Sequence, residues 1–131
     1  MQRLIALLLL AAILGGCASI EERKKSVALE TNTRHYENAI RWGDYEAANA
    51  YRVQSGAQTP GPESLKHFRV TSCETVNTVL NEDATRATVT MQIKYYDDER
   101  MAEETLTDRQ NWEYDSGLGQ WFLDGPLPAF R

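Results

Sequence analysis

Hydrophobic and polar residues follow three different patterns along this chain. Residues 4–14 form an unbroken apolar run. Between residues 26 and 52 the apolar positions recur at spacings of three and four, which predicts amphipathic helices. From residue 65 onward the period shortens to two, which predicts strands.

Two helices are predicted ahead of the strands, over 26–42 and 45–52. Gly43 between them suits the left-handed residue that follows a helix end, and Asp44 suits the N-cap of the second helix. Residues 54–62 are rich in glycine and proline and are expected to form a loop.

The first predicted strand begins just after residue 65. Phe68, Val70 and Val76 are expected on its buried face. The opposite, wetter face is expected to carry His67, Arg69, Thr71 and Cys73.

Three more strands are predicted, over 86–96, 104–114 and 120–123. In the first of these, apolar residues alternate strictly with polar ones, which is typical of a sheet with one buried and one solvated face. Short polar links separate the strands, at 81–83, 97–99 and 115–117. Links of this length join antiparallel neighbours. The sequence therefore predicts an α+β fold, with N-terminal helices packed on a curved four-stranded antiparallel meander sheet.

The apolar run at the N-terminus is typical of a secretory signal, because one basic residue, Arg3, precedes it and small residues follow. Its eleven residues fall short of the roughly 20 that a membrane-spanning helix needs. The segment Leu14-Gly15-Gly16-Cys17 resembles the lipobox of bacterial lipoproteins. That resemblance implies cleavage after Gly16, lipid attachment to the Cys17 thiol and a further acyl chain, such as palmitate, on the new N-terminus.

Three regions follow from this reading: a signal peptide at 1–16, the lipidated cysteine with a short polar tether at 17–25, and a folded domain at 26–131. Ala18 follows the cysteine, and by resemblance to the sorting rule of enteric bacteria this implies the outer membrane. The domain is then expected to face the periplasm, held to the membrane by its N-terminal lipid anchor.

The charge balance excludes one class of partner. Without the signal peptide, the chain carries 13 basic and 19 acidic residues. Nucleic-acid binding requires clustered lysine and arginine, so no nucleic-acid partner is expected.

The order of elements resembles nuclear transport factor 2-like domains, as found in small bacterial lipoproteins. Residues 43–48 resemble their short second helix, and residues 110–114 with 120–123 resemble their closing hairpin. Over 26–128 the resemblance implies a cone-shaped domain with an open mouth. Some members of that family are isomerases, cyclases or dehydratases, and many are non-catalytic binding or assembly modules. This chain lacks an alignable catalytic His–Asp pattern.

Few residues indicate chemistry. His35 and His67 lack metal-ligand spacing and are expected on the surface or at a pocket rim, and no metal site or cofactor is predicted. Cys73 has no intramolecular partner if Cys17 carries lipid. It is expected to be a small buried side chain, the alternatives being a reactive thiol or one that cross-links subunits. The acidic run 97–99 lacks the spacing of a calcium loop and is expected to be a solvated turn.

Aromatic residues offer two alternatives. Trp112, Trp121, Tyr95 and Tyr51 belong either to the core or to a pocket or patch that binds a ligand or a protein. The apolar tail at 125–130 either packs back onto the sheet or is presented to a partner.

These observations favour a non-catalytic binding or assembly module, with an envelope protein or a second copy of the chain as its partner. The sequence shows no paired catalytic groups, which argues against an enzyme, although the question stays open. The alternatives are an enzyme of the isomerase or cyclase type and a carrier of a hydrophobic ligand, each using the pocket of the cone.

Overall fold

A computed structural model describes residues 2–53 and 61–131, with side chains described from residue 16 onward. It contains two helices, one 3-10 turn and four strands: α1 (Gln2–Arg41), α2 (Tyr45–Asn49), the turn Pro62–Leu65, β1 (Phe68–Leu80), β2 (Arg86–Asp97), β3 (Glu103–Asp115) and β4 (Gln120–Leu123). The strands form one antiparallel sheet in the order β1-β2-β3-β4, and α1 packs on it. The predicted α+β meander is confirmed. Within the described ranges, no helix has the length and apolar content needed to span a bilayer.

The helix α1 meets the sheet with one narrow face. Its buried residues recur every three or four positions, which is the spacing of one helical face: Leu29, Thr33, Tyr36 and Ile40. Gly43 then adopts a φ of 72°, as the sequence predicts for the residue after a helix end. The Asp44 carboxylate caps α2 by accepting a hydrogen bond of 3.0 Å from the Ala47 backbone N–H.

Residues 18–25 differ from the predicted tether, because α1 runs through them without a break. Neither glycine nor proline occurs between Cys17 and Arg41, and the segment is rich in strong helix formers. An ion pair between Lys24 and Glu21, three residues apart on the helix surface, adds to that preference.

The second helix ends at Asn49, three residues before the predicted end. The chain leaves the helix because it pairs with β4 instead. The Leu123 backbone N–H donates to the Tyr51 carbonyl at 2.7 Å, and the Val53 N–H donates to the Leu123 carbonyl at 3.0 Å. Of the predicted loop at 54–62, residues 54–60 lie outside the described residues.

Two β-bulges correct the predicted faces of β1. The pairing with β2 skips Thr71 and then Val76, and each inserted residue reverses which face the following side chains take. Cys73, expected on the wetter face, is therefore buried with 7% of its surface exposed. Val76, expected in the core, is itself the second inserted residue and is 53% exposed.

The inner face of the sheet and the C-terminal tail complete the core. The predicted alternation of β2 is confirmed, since its apolar side chains are buried: Ala87, Val89, Met91, Ile93 and Tyr95. Leu127 and Phe130 from the tail are also buried, and the Phe130 and Tyr95 ring centroids lie 4.5 Å apart. Of the two alternatives for the tail, it therefore packs back onto the domain.

Trp121 in β4 connects the last strand of the sheet to α1. Its indole Nε1–H donates to the Lys25 carbonyl at 2.9 Å, and its backbone N–H donates to the Asn32 Oδ1 at 3.0 Å. The side chain is fully buried among core residues. These two bonds fix α1 across the sheet.

We expect Trp121→Ala to lower the free energy of unfolding by about 3–5 kcal/mol, because it removes a buried indole and leaves a cavity. Trp42→Ala is the matched control: its side chain is 77% exposed, and a change within about 0.5 kcal/mol is expected. Urea unfolding followed by circular dichroism measures both. Equal losses for the two variants would contradict the structure.

Candidate functional site

The interior of the domain is filled by aromatic side chains. Trp112, Trp121 and Tyr95 are buried in the core, which is the first of the two alternatives for these residues rather than an open pocket or patch. Tyr51 is half-buried, and its ring centroid lies 6.1 Å from that of Trp112. All four therefore belong to or border the core.

One polar pair enters this interior from β3. The Gln110 amide Nε2–H donates to the Asp108 Oδ2 at 2.7 Å, and the Gln110 Oε1 accepts from the Trp112 indole N–H at 2.9 Å. Burial raises the pKa of Asp108, and the hydrogen bond from Gln110 lowers it in part. A cleft of about 100 Å³ adjoins Asp108 where β3 meets the tail.

The hydroxyl of Tyr36 faces the same interior without a hydrogen bond to any described residue. Burial is the largest cause that raises the pKa of Tyr36, followed by the nearby charge of Asp108. Sequence reasoning places Gln110 in phase with Trp112 on this strand, and the burial of Gln110 agrees with that phase. It missed Asp108 as an inward group, although Asp108 shares the same period-two phase.

A larger recess lies outside the core, between α1 and β1. We call it the α1/β1 groove; its volume is about 480 Å³. Six residues of α1 between 26 and 37 line one side, and Thr75, Thr78 and Leu80 line the other. Leu29 and Leu80 supply apolar surface, whereas Glu30, Arg34 and Glu37 supply charge.

Side chains from the helices cap part of the outer edge of β1. The Tyr45 hydroxyl donates to the Phe68 carbonyl at 3.1 Å, and the Arg41 Nη1–H donates to the Val70 carbonyl at 2.8 Å. The Thr75 backbone N–H donates to the Glu37 carboxylate at 2.9 Å.

Trp42 is a second exposed feature, at the C-terminal end of α1. The Arg41 guanidinium stacks over its ring at 4.8 Å, a cation–π contact. A recess of about 330 Å³ lies between these two residues and the start of β1. Sequence reasoning placed Trp42 among the helix aromatics and did not single it out.

The remaining candidate residues lie apart from one another. His35 and His67 are both exposed, one on α1 and the other just before β1. Within residues 16–53 and 61–131, no three His, Cys, Asp or Glu side chains are grouped to hold a metal ion.

In the acidic run 97–99, the Asp97 carboxylate accepts a hydrogen bond of 2.7 Å from the Glu99 backbone N–H. This bond lowers the pKa of Asp97, as suits a solvated turn.

Cys73 is buried, and its surroundings disfavour the thiolate. Burial is the largest cause that raises its pKa to about 12, and the charge of Glu37 adds to it. The thiol is therefore protonated at neutral pH, and a protonated thiol is a poor nucleophile. The geometry supports the alternative in which Cys73 is a small, inert core residue.

Comparison with known proteins shows the fold alone. No protein-family profile matches the chain, and no curated protein is significantly similar in sequence. The solution structure of a SEC-C motif-containing protein from Rhodopseudomonas palustris superposes with a TM-score of 0.52, covering 67% of this chain and 68% of that one at 10% identity.

We expect Tyr36→Phe to keep or raise the free energy of unfolding, by up to about 1 kcal/mol, because it removes a buried hydroxyl that has no described partner. Tyr45→Phe is the matched control. It removes the bond to the Phe68 carbonyl and should cost about 1 kcal/mol. Urea denaturation compares them; a loss at Tyr36 as large as that at Tyr45 would show that the Tyr36 hydroxyl is bonded.

Asp108→Asn should raise stability at neutral pH. Because the pKa of Asp108 is higher in the folded than in the unfolded state, ionisation of this carboxyl costs more in the folded domain. That cost is fully present above the folded pKa and disappears as the pH falls below the unfolded one. Denaturation midpoints at about pH 7 and about pH 3 should therefore differ between variant and parent only at the higher pH. A lower midpoint for the variant at neutral pH would be the contrary result.

Proposed function

We propose that this chain is an envelope lipoprotein, anchored at Cys17, whose domain is a non-catalytic binding module with a partner in the bacterial envelope. The observation that carries this proposal is a contrast in available space. The cleft beside Asp108 measures about 100 Å³, whereas the α1/β1 groove measures about 480 Å³. Sites for small molecules occupy about 300–1,000 Å³, so the α1/β1 groove offers room that the cleft beside Asp108 does not.

The surroundings of Cys17 support its role as the anchor. The cysteine is exposed and has no disulfide partner among the described residues. Among the described side chains of α1, Leu29 is the first buried one, twelve positions after Cys17, so a group attached at Cys17 does not disturb the core. The lipobox-like residues before Cys17 and the alanine after it support lipidation and an outer-membrane, periplasm-facing location.

The nuclear transport factor 2-like relationship is part of the same proposal. A helical layer on an antiparallel meander agrees with that architecture, but the same arrangement serves many activities, so the relationship does not by itself indicate an activity. In this chain the sheet encloses aromatic side chains where enzymes of the family have a pocket.

A second candidate function is a small-molecule enzyme that uses the interior. Two observations favour it: Asp108 points inward with a raised pKa, and the Tyr36 hydroxyl has no described hydrogen-bond partner. Perturbed groups of this kind are found at active sites and also in structural networks. This candidate requires the aromatic interior to open, which the binding module does not.

Replacing Cys17 tests the anchor. In bacteria fed a radiolabelled or alkyne-bearing palmitate, Cys17→Ala should lose the label and keep residues 1–16, because the acyl-accepting thiol is gone. Cys73→Ala, the matched control, should be labelled and processed like the parent, since this thiol is buried. Labelling that survives in Cys17→Ala would refute the anchor.

Photo-crosslinking tests the binding module. A benzophenone amino acid is placed in intact cells at one of three exposed positions, Thr78 in the groove, Trp42 or Leu118. An adduct of the same envelope protein, formed repeatedly at one of these positions and identified by mass spectrometry, is expected. If none of the three positions forms an adduct in the envelope, the domain is not a binding module.

A further inference from the structure

The outer edge of β1 is capped in one half and open in the other. In the capped half, three backbone groups bond to side chains of α1 or α2, namely the Phe68 carbonyl, the Val70 carbonyl and the Thr75 N–H. A sheet edge left open is a template for another strand, and proteins usually block it. The helix α1 thus caps the backbone of one half of the edge and leaves the backbone of the other half without hydrogen bonds from its side chains.

The backbone direction identifies the open groups. The Asn81 backbone N–H donates to the Arg86 carbonyl at 3.0 Å, so the backbone N–H of Asn81 is directed toward β2. Because neighbouring residues of a strand direct their N–H and C=O groups to opposite edges, Leu80 and Thr78 direct theirs away from β2. No other described residue hydrogen-bonds to the backbone of these two residues on that side. Both line the α1/β1 groove.

The helix α1 provides caps only near its C-terminal end. Arg41 and Glu37, one turn apart, each bond to β1. One and two turns earlier, Arg34 bonds to Glu30 instead, and the Thr33 hydroxyl donates to the Leu29 carbonyl of its own helix. The side chains of α1 are thus occupied within the helix where they pass Thr78 and Leu80, and the groove lies between.

We propose that an extended segment of a partner polypeptide lies in the α1/β1 groove and adds to β1 as a fifth strand, pairing with the backbone of Thr78 and Leu80. This inference rests on the proposed function, since it names the surface and the partner class of the binding module. The mode is β-strand addition, in which main-chain hydrogen bonds supply affinity and side-chain contacts supply specificity.

The chemistry of the groove selects a polypeptide. Thr78 and Leu80 repeat N–H and C=O groups about 7 Å apart, the two-residue spacing of a strand, and a polypeptide backbone offers donors and acceptors at that spacing. Leu80, which is only partly buried, provides an apolar surface for one side chain of the incoming segment.

Charge favours a foreign, basic segment over a second copy of this chain. The groove carries Glu30 and Glu37 against a single basic residue, Arg34, and the whole chain has a formal net charge of −5. Two copies would bring like charges together, whereas lysine or arginine on the incoming strand would complement the groove.

The test uses the full chain, extracted from membranes in detergent, and a phage-displayed library of random octapeptides as the probe. Enriched peptides are synthesised and their dissociation constants are measured by fluorescence anisotropy. Thr78→Pro removes the outward N–H without touching the ladder to β2, and proline is tolerated on edge strands. It should weaken binding at least tenfold. Val79→Thr is the control: its backbone faces β2 and its exposed side chain lies on the other face, so binding should not change.

N-methylated peptides make the test independent of how the protein variant folds. Methylation of the alternate amides that face β1 should weaken binding at least tenfold, while methylation of the other set should have little effect. Amide hydrogen exchange should show Thr78 and Leu80 protected by the peptide.

Three results would overturn the proposal: no peptide enriched, binding that ignores both Thr78→Pro and N-methylation, or a dimer of the full chain that Thr78→Pro dissociates. The last would assign the edge to a second copy. The failure of this inference is distinct from that of the proposed function. Envelope crosslinks at Trp42 or Leu118, with none at Thr78, would keep the binding module and move its surface elsewhere.

Discussion

The docking of α1 on the sheet through Trp121 is the contact on which the rest of the domain depends. Trp121 hydrogen-bonds to two residues of α1 that are far away in sequence: the Lys25 carbonyl, 96 positions earlier, and the Asn32 side chain, 89 positions earlier. Its indole fills the space between helix and sheet. Because α1 is fixed at that point, its later turns reach β1, where Arg41 and Glu37 bond to the strand. The aromatic core, the capped edge and the α1/β1 groove all follow from this placement.

The α1/β1 groove exists because α1 makes hydrogen bonds to β1 over only part of the strand's length. Two bulges, at Thr71 and Val76, each reverse the faces of β1, so the original phase returns beyond Val76. Up to Thr75 the strand lies under side chains of the helix; beyond Val76 its inner face carries a polar threonine and a half-exposed leucine. Because the two reversals cancel, Thr78 and Leu80 lie on the same inner face as Phe68 and Val70, while between the bulges that face carries Cys73 and Thr75.

Most of the architecture could be read from local sequence, whereas the candidate site could not. Strict alternation fixes β2, and Gly43 with Asp44 marks the boundary between the helices, because these signals act within a few residues. The bulge at Thr71, which turns Cys73 inward, has no local signature here. Residues 18–25 look like a solvated tether by charge, yet the same residues are good helix formers. Asp108 shares the phase of Trp112, but its polar character argues against burial until Gln110 is seen to bond to it.

The unbroken α1 also determines how the domain is carried. From Cys17 to Lys25, whose carbonyl bonds to Trp121, eight residues at 1.5 Å per residue make a stiff stalk of about 12 Å that continues directly into the docked part of α1. A flexible linker would let the body rotate freely about its attachment point, but a helix transmits orientation. With the proposed anchor at Cys17, this stalk would set both the height of the sheet above the attachment point and the direction in which its open edge faces.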